Sequence, residues 1–244
     1  MLCEERSNEK KFVPISSSAN SRGQSDIFFT SFCNDPRNQH YFRGQPQLCP
    51  PQTVICRQDT PAEAAYLVEQ GLVKLVRITS RGSQVIVGLR RRNWLIGAPS
   101  IFLNKHYSYT AIAVLPTVLR SITKNVFLDL VEKNVRFSFY VHRLLSENIY
   151  GQMKRIEETS FMSAQERLES LLSDMIHNQE AFASKAPDKF SIPLTNQELA
   201  QLLAVSPEHL CRVLKGMGKK GIIMRENGAV IVTNPPRFPG KLVD

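Results

Sequence analysis

Apolar positions recur at two different periods along this chain, and the change of period divides it. From residue 47 to about 124, short β-prone runs fall at 53–56, 65–68, 72–78, 84–89, 110–114 and 118–122. Turn residues separate them: Pro50-Pro51, Gln70-Gly71, Arg81-Gly82, Asn93 and Pro116. Short strands so punctuated predict a β-sandwich or roll. Within 72–78 the alternation is clear, with Leu72, Lys74, Val76 and Ile78 on one side and Val73, Leu75 and Arg77 on the other. From 127 to about 158 the period becomes helical and proline is absent. Phe127, Leu130, Val131 and Val135 begin a stripe that Tyr140, Val141, Leu144, Leu145, Ile149, Met153 and Ile156 continue. It is wider than one small domain needs, and Asn148 and Gly151 interrupt its heptad. A dimer seam and a helix lying along its own domain satisfy it equally.

The C-terminal third is punctuated by helix caps. Ser163 with Glu166 forms a capping box that opens a helix over 164 to about 177, with Leu168, Leu171, Leu172 and Met175 inward. A loop over 178–193, with a short strand expected at 190–192, leads to a second box, Thr195 with Glu198. The helix it starts turns Leu199, Ala200, Leu202 and Leu203 inward. At once Ser206 caps another helix, with Pro207 at the first position, where its missing N–H costs nothing. Leu210, Val213, Leu214 and Met217 form the inner face of this last helix, and Glu208, His209, Cys211, Arg212 and Lys215 its outer face. An ordinary helical hairpin also fits two such helices. The residues C-terminal to them favour a helix-turn-helix: runs 221–225 and 229–233 bracket Asn227-Gly228, a strong hairpin signal and hence a wing.

Charge sharpens this picture. The 244 residues carry a formal net charge of +9, and from Arg212 to Lys241 there are seven Lys or Arg against the single acid Glu226. Such a surface suits a phosphate backbone. A second basic stretch, Arg90-Arg91-Arg92 within nine basic and no acidic residues between Glu69 and Asp129, could bind an anion or contact RNA polymerase, or simply face solvent. The 42% hydrophobic content leaves room for two cores. Cys3, Cys33, Cys49, Cys56 and Cys211 are odd in number and form no C-x-x-C pair. With no export signal and no apolar run near the ~20 residues of a membrane span, the expected compartment is the reducing cytoplasm. No nucleophile elbow, zinc-protease, P-loop or dinucleotide fingerprint is present, so no enzyme is expected.

The order of elements, together with 194–200 (Leu-Thr-Asn-Gln-Glu-Leu-Ala) and 205–214 (Val-Ser-Pro-Glu-His-Leu-Cys-Arg-Val-Leu), resembles the Crp/Fnr family of bacterial transcription regulators over about residues 45 to 233. Tyr66-Leu67 with Gly71, Val73 and Lys74 is similar to the family's roll motif. The resemblance implies that Glu208 and Arg212 read base edges. The chemistry agrees, because Arg can bond guanine bidentately, Glu can accept from cytosine, and residues four apart share a helix face. The plain alternative is a surface ion pair worth ~0.3–0.5 kcal/mol. Pro207 stands where relatives often carry another base-contacting side chain. His209 and Cys211 share the reading face, and Thr195, Gln197, Ser206, Lys215 and Lys219 are phosphate candidates. Ala204 occupies a corner where the family often has glycine, so mild strain is expected.

In the sensory half the chain departs from the family. Cyclic-AMP-binding relatives use a Glu for the ribose and an Arg for the cyclic phosphate. Here the cassette reads Gly97, Ala98, Pro99 and Ser100, then Ser108, Tyr109 and Thr110, with neither charge in place. Without charge-assisted bonds, cyclic AMP is not the expected ligand. Oxygen-sensing relatives hold an iron–sulfur cluster through four cysteines, three closely spaced near the N-terminus; the cysteines here lack that spacing. His40, His106 and His142 belong to no haem motif. No cofactor and no metal site are expected.

The expected architecture is α+β: a flexible N-terminal extension over 1–40, in which Ile27, Phe28, Phe29 and Phe32 are the residues able to dock as a short helix; a β-roll over 41–130; a dimerisation helix over 131–158; a winged helix-turn-helix over 159–235; and a tail over 236–244. The expected function is sequence-specific regulation of transcription by a homodimer on double-stranded DNA, with RNA polymerase as a further partner and an unknown effector. The alternative is a small-molecule sensor acting through protein partners.

Overall fold

The computed structural model describes residues 31–32, 35–176, 190–226 and 229–233. Two four-stranded antiparallel sheets form the N-terminal roll. One has the order β1-β8-β3-β6, from Gln47–Cys49 (β1), Thr117–Thr123 (β8), Ala64–Gln70 (β3) and Trp94–Ile96 (β6). The other has the order β2-β7-β4-β5, from Val54–Cys56 (β2), Thr110–Ala113 (β7), Leu72–Ile78 (β4) and Gln84–Arg91 (β5). Inward residues of both sheets, among them Leu67, Val73, Leu75, Leu95, Ile96 and Ile122, close the core between them. Gly71 joins β3 to β4 at φ +98°. A Cβ there would lie 2.6 Å from the Pro116 carbonyl oxygen, so both conformation and space call for glycine.

The strand pattern anticipates six of these strands and misses two. β1 and β6 have three residues each, and neither Gln47–Cys49 nor Trp94–Ile96 carries the β-branched pair that marks the equally short β2. It also misses the short helix Ala98–Phe102 (α1). The extension expected to be loose over 1–40 is ordered at its end. Phe32 is buried against Phe42 and Phe137, and Pro36–Tyr41 forms a 3-10 turn capped by Asp35. Aromatic burial outweighs the polar composition there. Residues 1–30, with the docking candidates Ile27, Phe28 and Phe29, lie outside the described residues, as do Asn227-Gly228 and the tail.

The continuous helix expected from Phe127 is two helices, Lys124–Lys133 (α2) and Val135–Phe161 (α3). Asn134 makes the break: its backbone is extended and its side chain accepts from the Phe137 N–H, so it caps the second helix. On α3, Phe137, Tyr140, Val141 and Leu144 pack on the roll. Val135, Phe139, Ile149, Tyr150, Met153, Ile156 and Phe161 are exposed, and at 100° per residue most lie on the opposite side of the helix.

The C-terminal unit comprises Ala164–Ile176 (α4), Phe190–Ser191 (β9), Asn196–Leu202 (α5), Pro207–Lys219 (α6), Ile223–Glu226 (β10) and Ala229–Val232 (β11), the strands pairing in the order β10-β11-β9. Both capping boxes form, Ser163 with Glu166 and Thr195 with Glu198. Leu168, Leu172, Leu199, Leu210, Leu214, Met217 and Ile223 make its core. Replacing Leu168 by Ala is expected to cost about 2–5 kcal/mol, read as a lower urea midpoint with unchanged slope.

This core extends onto the roll. Leu72 and Val114 belong to it, and α5 packs on β5. The alternation of β4 is therefore real, but its second face is buried: Val73 and Leu75 point into the roll, while Leu72 sits under the C-terminal unit. Lys74, on that second face, pairs with Glu198 of α5. Burial pushes the Glu198 carboxyl up, but the bonds from Lys74 and Thr195 outweigh it and hold the carboxyl below its usual range.

Candidate nucleic-acid interface

The sequence of α6 fixes which of its faces is wet. Leu210, Leu214 and Met217 recur at helical spacing and are buried, which turns Glu208, His209, Arg212, Lys215 and Lys219 outward, all exposed. Cys211 is half-buried at the edge of this face. Ser206 accepts from the His209 N–H at 3.2 Å and caps the helix, and Pro207 follows, exposed, at the first position. The corner between α5 and α6 brings Ala204 to φ +52°, the left-handed conformation that its place in the motif implied.

Electrostatics on this face suit hydrogen bonding to bases. The Glu208 carboxyl is held below its usual range by its own backbone N–H, the Ser206 hydroxyl and the nearby charge of Arg212. It therefore stands ionised, as an acceptor only, one turn before an Arg that is a donor only. Around the pair, Gln197 on α5, Lys219 and Lys220 at the end of α6 and Arg225 on β10 are exposed. Lys220 and Arg225 were not singled out from the motif; their signal was the basic excess of this region. The Thr195 hydroxyl is engaged, accepting from the Glu198 N–H at 3.2 Å and lying 2.9 Å from the Glu198 carboxylate.

The cassette is built without charge. Gly97, at φ +93°, leads into α1; Ala98 and Ser100 are buried and Pro99 half-buried. The Tyr109 hydroxyl accepts from the Gly97 N–H at 3.1 Å, and the Thr110 hydroxyl accepts from the Gln58 N–H at 3.0 Å. Ser108 is exposed. The space left between the cassette and α3 is about 40 Å³, room for a water or two and far below a nucleotide.

The three described cysteines lie in different elements. Cys49 and Cys56 are buried, one in each sheet of the roll. Burial raises both thiols, Cys56 to about 11. Cys211 lies on α6, and Cys3 and Cys33 fall outside the described residues. Among the described residues no three His, Cys, Asp or Glu cluster as metal ligands would.

The Arg90–Arg92 run does not act as one face. Arg92 is exposed in the turn between β5 and β6. Arg90 turns inward, its guanidinium 4.5 Å from the centre of the Trp94 ring. Arg155, which sequence reading did not single out, donates to the carbonyls of Ile86 on β5 and Leu202 on α5, both at 3.1 Å, and so ties the roll to the C-terminal unit.

Residues 46–134 match the model of the cyclic nucleotide-binding domain, and residues 166–238 match the Crp-like helix-turn-helix domain. The chain is 24% identical over 184 residues to an anaerobic regulatory protein of Bacillus subtilis, covering 74% of this chain and 76% of that one. It is 23% identical over 182 residues to electron transport regulator A of Shewanella oneidensis, covering 74% and 71%. The structure of FixK2 from Bradyrhizobium japonicum superposes with a TM-score of 0.67 at 17% identity, over 80% of this chain and 94% of that one.

Proposed function

The chain belongs to the Crp/Fnr family of DNA-binding transcription regulators, and from that premise we propose that it reads DNA as a homodimer through the exposed face of α6. The observation that carries this reading is the division of α6: an apolar face locked into the winged-helix core and an exposed face bearing Glu208 and Arg212. Arg212 donates to guanine and Glu208 accepts from cytosine, while His209, Cys211 and Pro207 lie on or beside the base-facing surface. Gln197, Lys215 and Lys219 contact phosphates. Ser206 and Thr195 act at the same place through their caps, which present helix N-termini to the backbone. Two copies associate through the exposed stripe of α3, which sets the spacing of the two reading helices.

The reaction class is binding and not catalysis. In this reading the protein works with the chromosome in the cytoplasm, and no helix of the described residues is long and apolar enough to cross a membrane. If RNA polymerase is met through the basic run, that contact falls to Arg92, because Arg90 is turned inward. A sensor docking only to proteins would leave the basic face of α6 without a use, and no observation favours it.

Selection from a random duplex library tests the reading. The expected result is a paired site with half-sites about one turn, 34–36 Å, apart. Affinity should fall steeply and linearly on a log–log plot against salt, as phosphate contacts impose. Recovery of no enriched sequence, or a flat salt response, would refute it.

A further inference from the structure

A cavity of about 290 Å³ lies where β5, α3, α4 and α5 meet, separate from the cassette. Its origin is visible in α3. The stripe that faces the roll is apolar through Leu144 and then continues as Asn148, Gly151 and Arg155, so packing gives way to a polar hollow. Gly151 contributes no side chain, and a Cβ placed on it would meet no atom within 4 Å.

Three arginines face this hollow. Arg90 donates to the Leu89 carbonyl at 2.9 Å and to Asn148 Oδ1 at 2.7 Å, with its cation over Trp94. Arg155 donates only to the Ile86 and Leu202 carbonyls. Arg167 donates from Nη1 to the Thr159 and Met162 carbonyls, and its buried Nε has no partner. Their acceptors are thus neutral. The carboxylates of the wall are committed to other groups: Glu147 pairs with Arg143 at 2.9 Å, and Glu158 accepts from Ser170 at 2.7 Å with Lys154 at 3.6 Å. Asp174 is exposed at the rim. Desolvation, opposed by the nearby Tyr109 and helped by the neighbouring charge of Arg155, lowers Arg90 to about 10. Three arginines and three carboxylates therefore line the cavity; Glu158 acts on Arg155 through space, while the hydrogen bonds of the three guanidiniums run to neutral acceptors and leave the Arg167 Nε without one.

We infer that this cavity binds a small organic oxyanion, a carboxylate or phosphate compound, between Arg90 and Arg155, and that this anion is the regulator's effector. Its volume is at the low end for ligand pockets, enough for a metabolite of about ten to fifteen non-hydrogen atoms. Planar guanidiniums suit both oxyanion classes bidentately. The walls come from the roll, the long helix and the winged helix together. An occupant drawing on Arg155 competes with the bonds to Ile86 and Leu202 that hold those units together, which is how it biases DNA binding. The effector role rests on the DNA-reading function; the binding itself does not.

Trp94 is the chain's single tryptophan and lines the cavity, so its fluorescence reports occupancy directly. The test titrates the purified full-length protein, without DNA, with citrate in one arm and pyrophosphate in the other. The expected result is a saturable change in at least one arm, weakened at least tenfold by R90Q and by G151L, which keeps the charges but fills the space. R81Q, an exposed arginine elsewhere, should leave it intact. The saturating anion should then shift DNA affinity by at least about fivefold. No saturable change, or one indifferent to both R90Q and G151L, overturns the site. Binding at the site that leaves the affinity of a DNA-competent protein unmoved overturns the effector role. Loss of DNA binding alone, with the Trp94 signal intact, instead counts against the DNA-reading function.

Discussion

Replacing Met153 and Ile156 together by Glu is expected to convert the protein into a monomer and to weaken its hold on a paired DNA site by about 10²–10⁴-fold. Met153 is 63% and Ile156 68% exposed, in an unbroken helix where none of the described residues covers them. With Ile149 at 62% they make an exposed apolar stripe of the kind that marks an interaction surface, which Phe139, at 72%, extends beyond the polar His142 and Ser146. Each large side chain buried against a second copy contributes roughly 1.5–3 kcal/mol, and a carboxylate opposed to its own symmetry mate reverses that sign. Glu is a strong helix former, so α3 should persist. Equilibrium sedimentation measures the first effect and a gel shift on the selected site the second. The fall in affinity arises because two tethered winged helices bind a paired site as one event, whereas a monomer must bind each half-site alone. A variant that sediments as a dimer would place the seam elsewhere.

The helices and caps of the winged unit were legible because local rules decide them. Thr195 with Glu198 and Ser206 before Pro207 need only their own neighbours, and the structure shows the same bonds the spacing implies. Element type was legible in the roll wherever a strand ran long enough to alternate. What could not be read were the features set by distant packing. The alternation put Lys74 on one side of its strand with Leu72 and Val76; that this side is covered, and Lys74 paired, follows only from the arrival of α5. Asn134 lies inside the run expected to be one helix, yet its side chain accepts from the Phe137 N–H and caps the second of two. The cavity shows the same limit most clearly. Arg90 belonged to a basic run with the look of a solvated surface, and Gly151 read as a flaw in a heptad. Together they are two walls of one hollow, assembled from residues more than fifty positions apart. The exposed face of α6 was read correctly as a face, because its buried complement has helical period; which base each side chain meets depends on a partner that is not in the chain.

That dependence makes Arg212 the sharpest probe of the interface. Arg212→Ala is expected to leave the fold untouched, since the side chain is exposed and lies away from Leu210 and Leu214; its urea midpoint should correspond to a change within about 0.5 kcal/mol. Its effect on DNA should be large. One bidentate contact to guanine discriminates by about 1–3 kcal/mol, and a dimer makes it twice, which gives a loss of roughly 30-fold to 10⁴-fold on the selected site. The signature is in the pattern more than the size. Competition against duplexes changed one base pair at a time should show preference erased at one symmetric pair of positions and kept at the others. Lys215→Ala provides the contrast. As a phosphate contact it should weaken all duplexes alike and reduce the salt slope by about one unit per half-site, without altering their ranking. Glu208, ionised one turn earlier, should keep its own preference for cytosine when Arg212 is gone. If Arg212→Ala instead behaved as Lys215→Ala does, lowering every affinity by one factor, then Arg212 would be a backbone contact and the reading of sequence would rest on another residue of the same face.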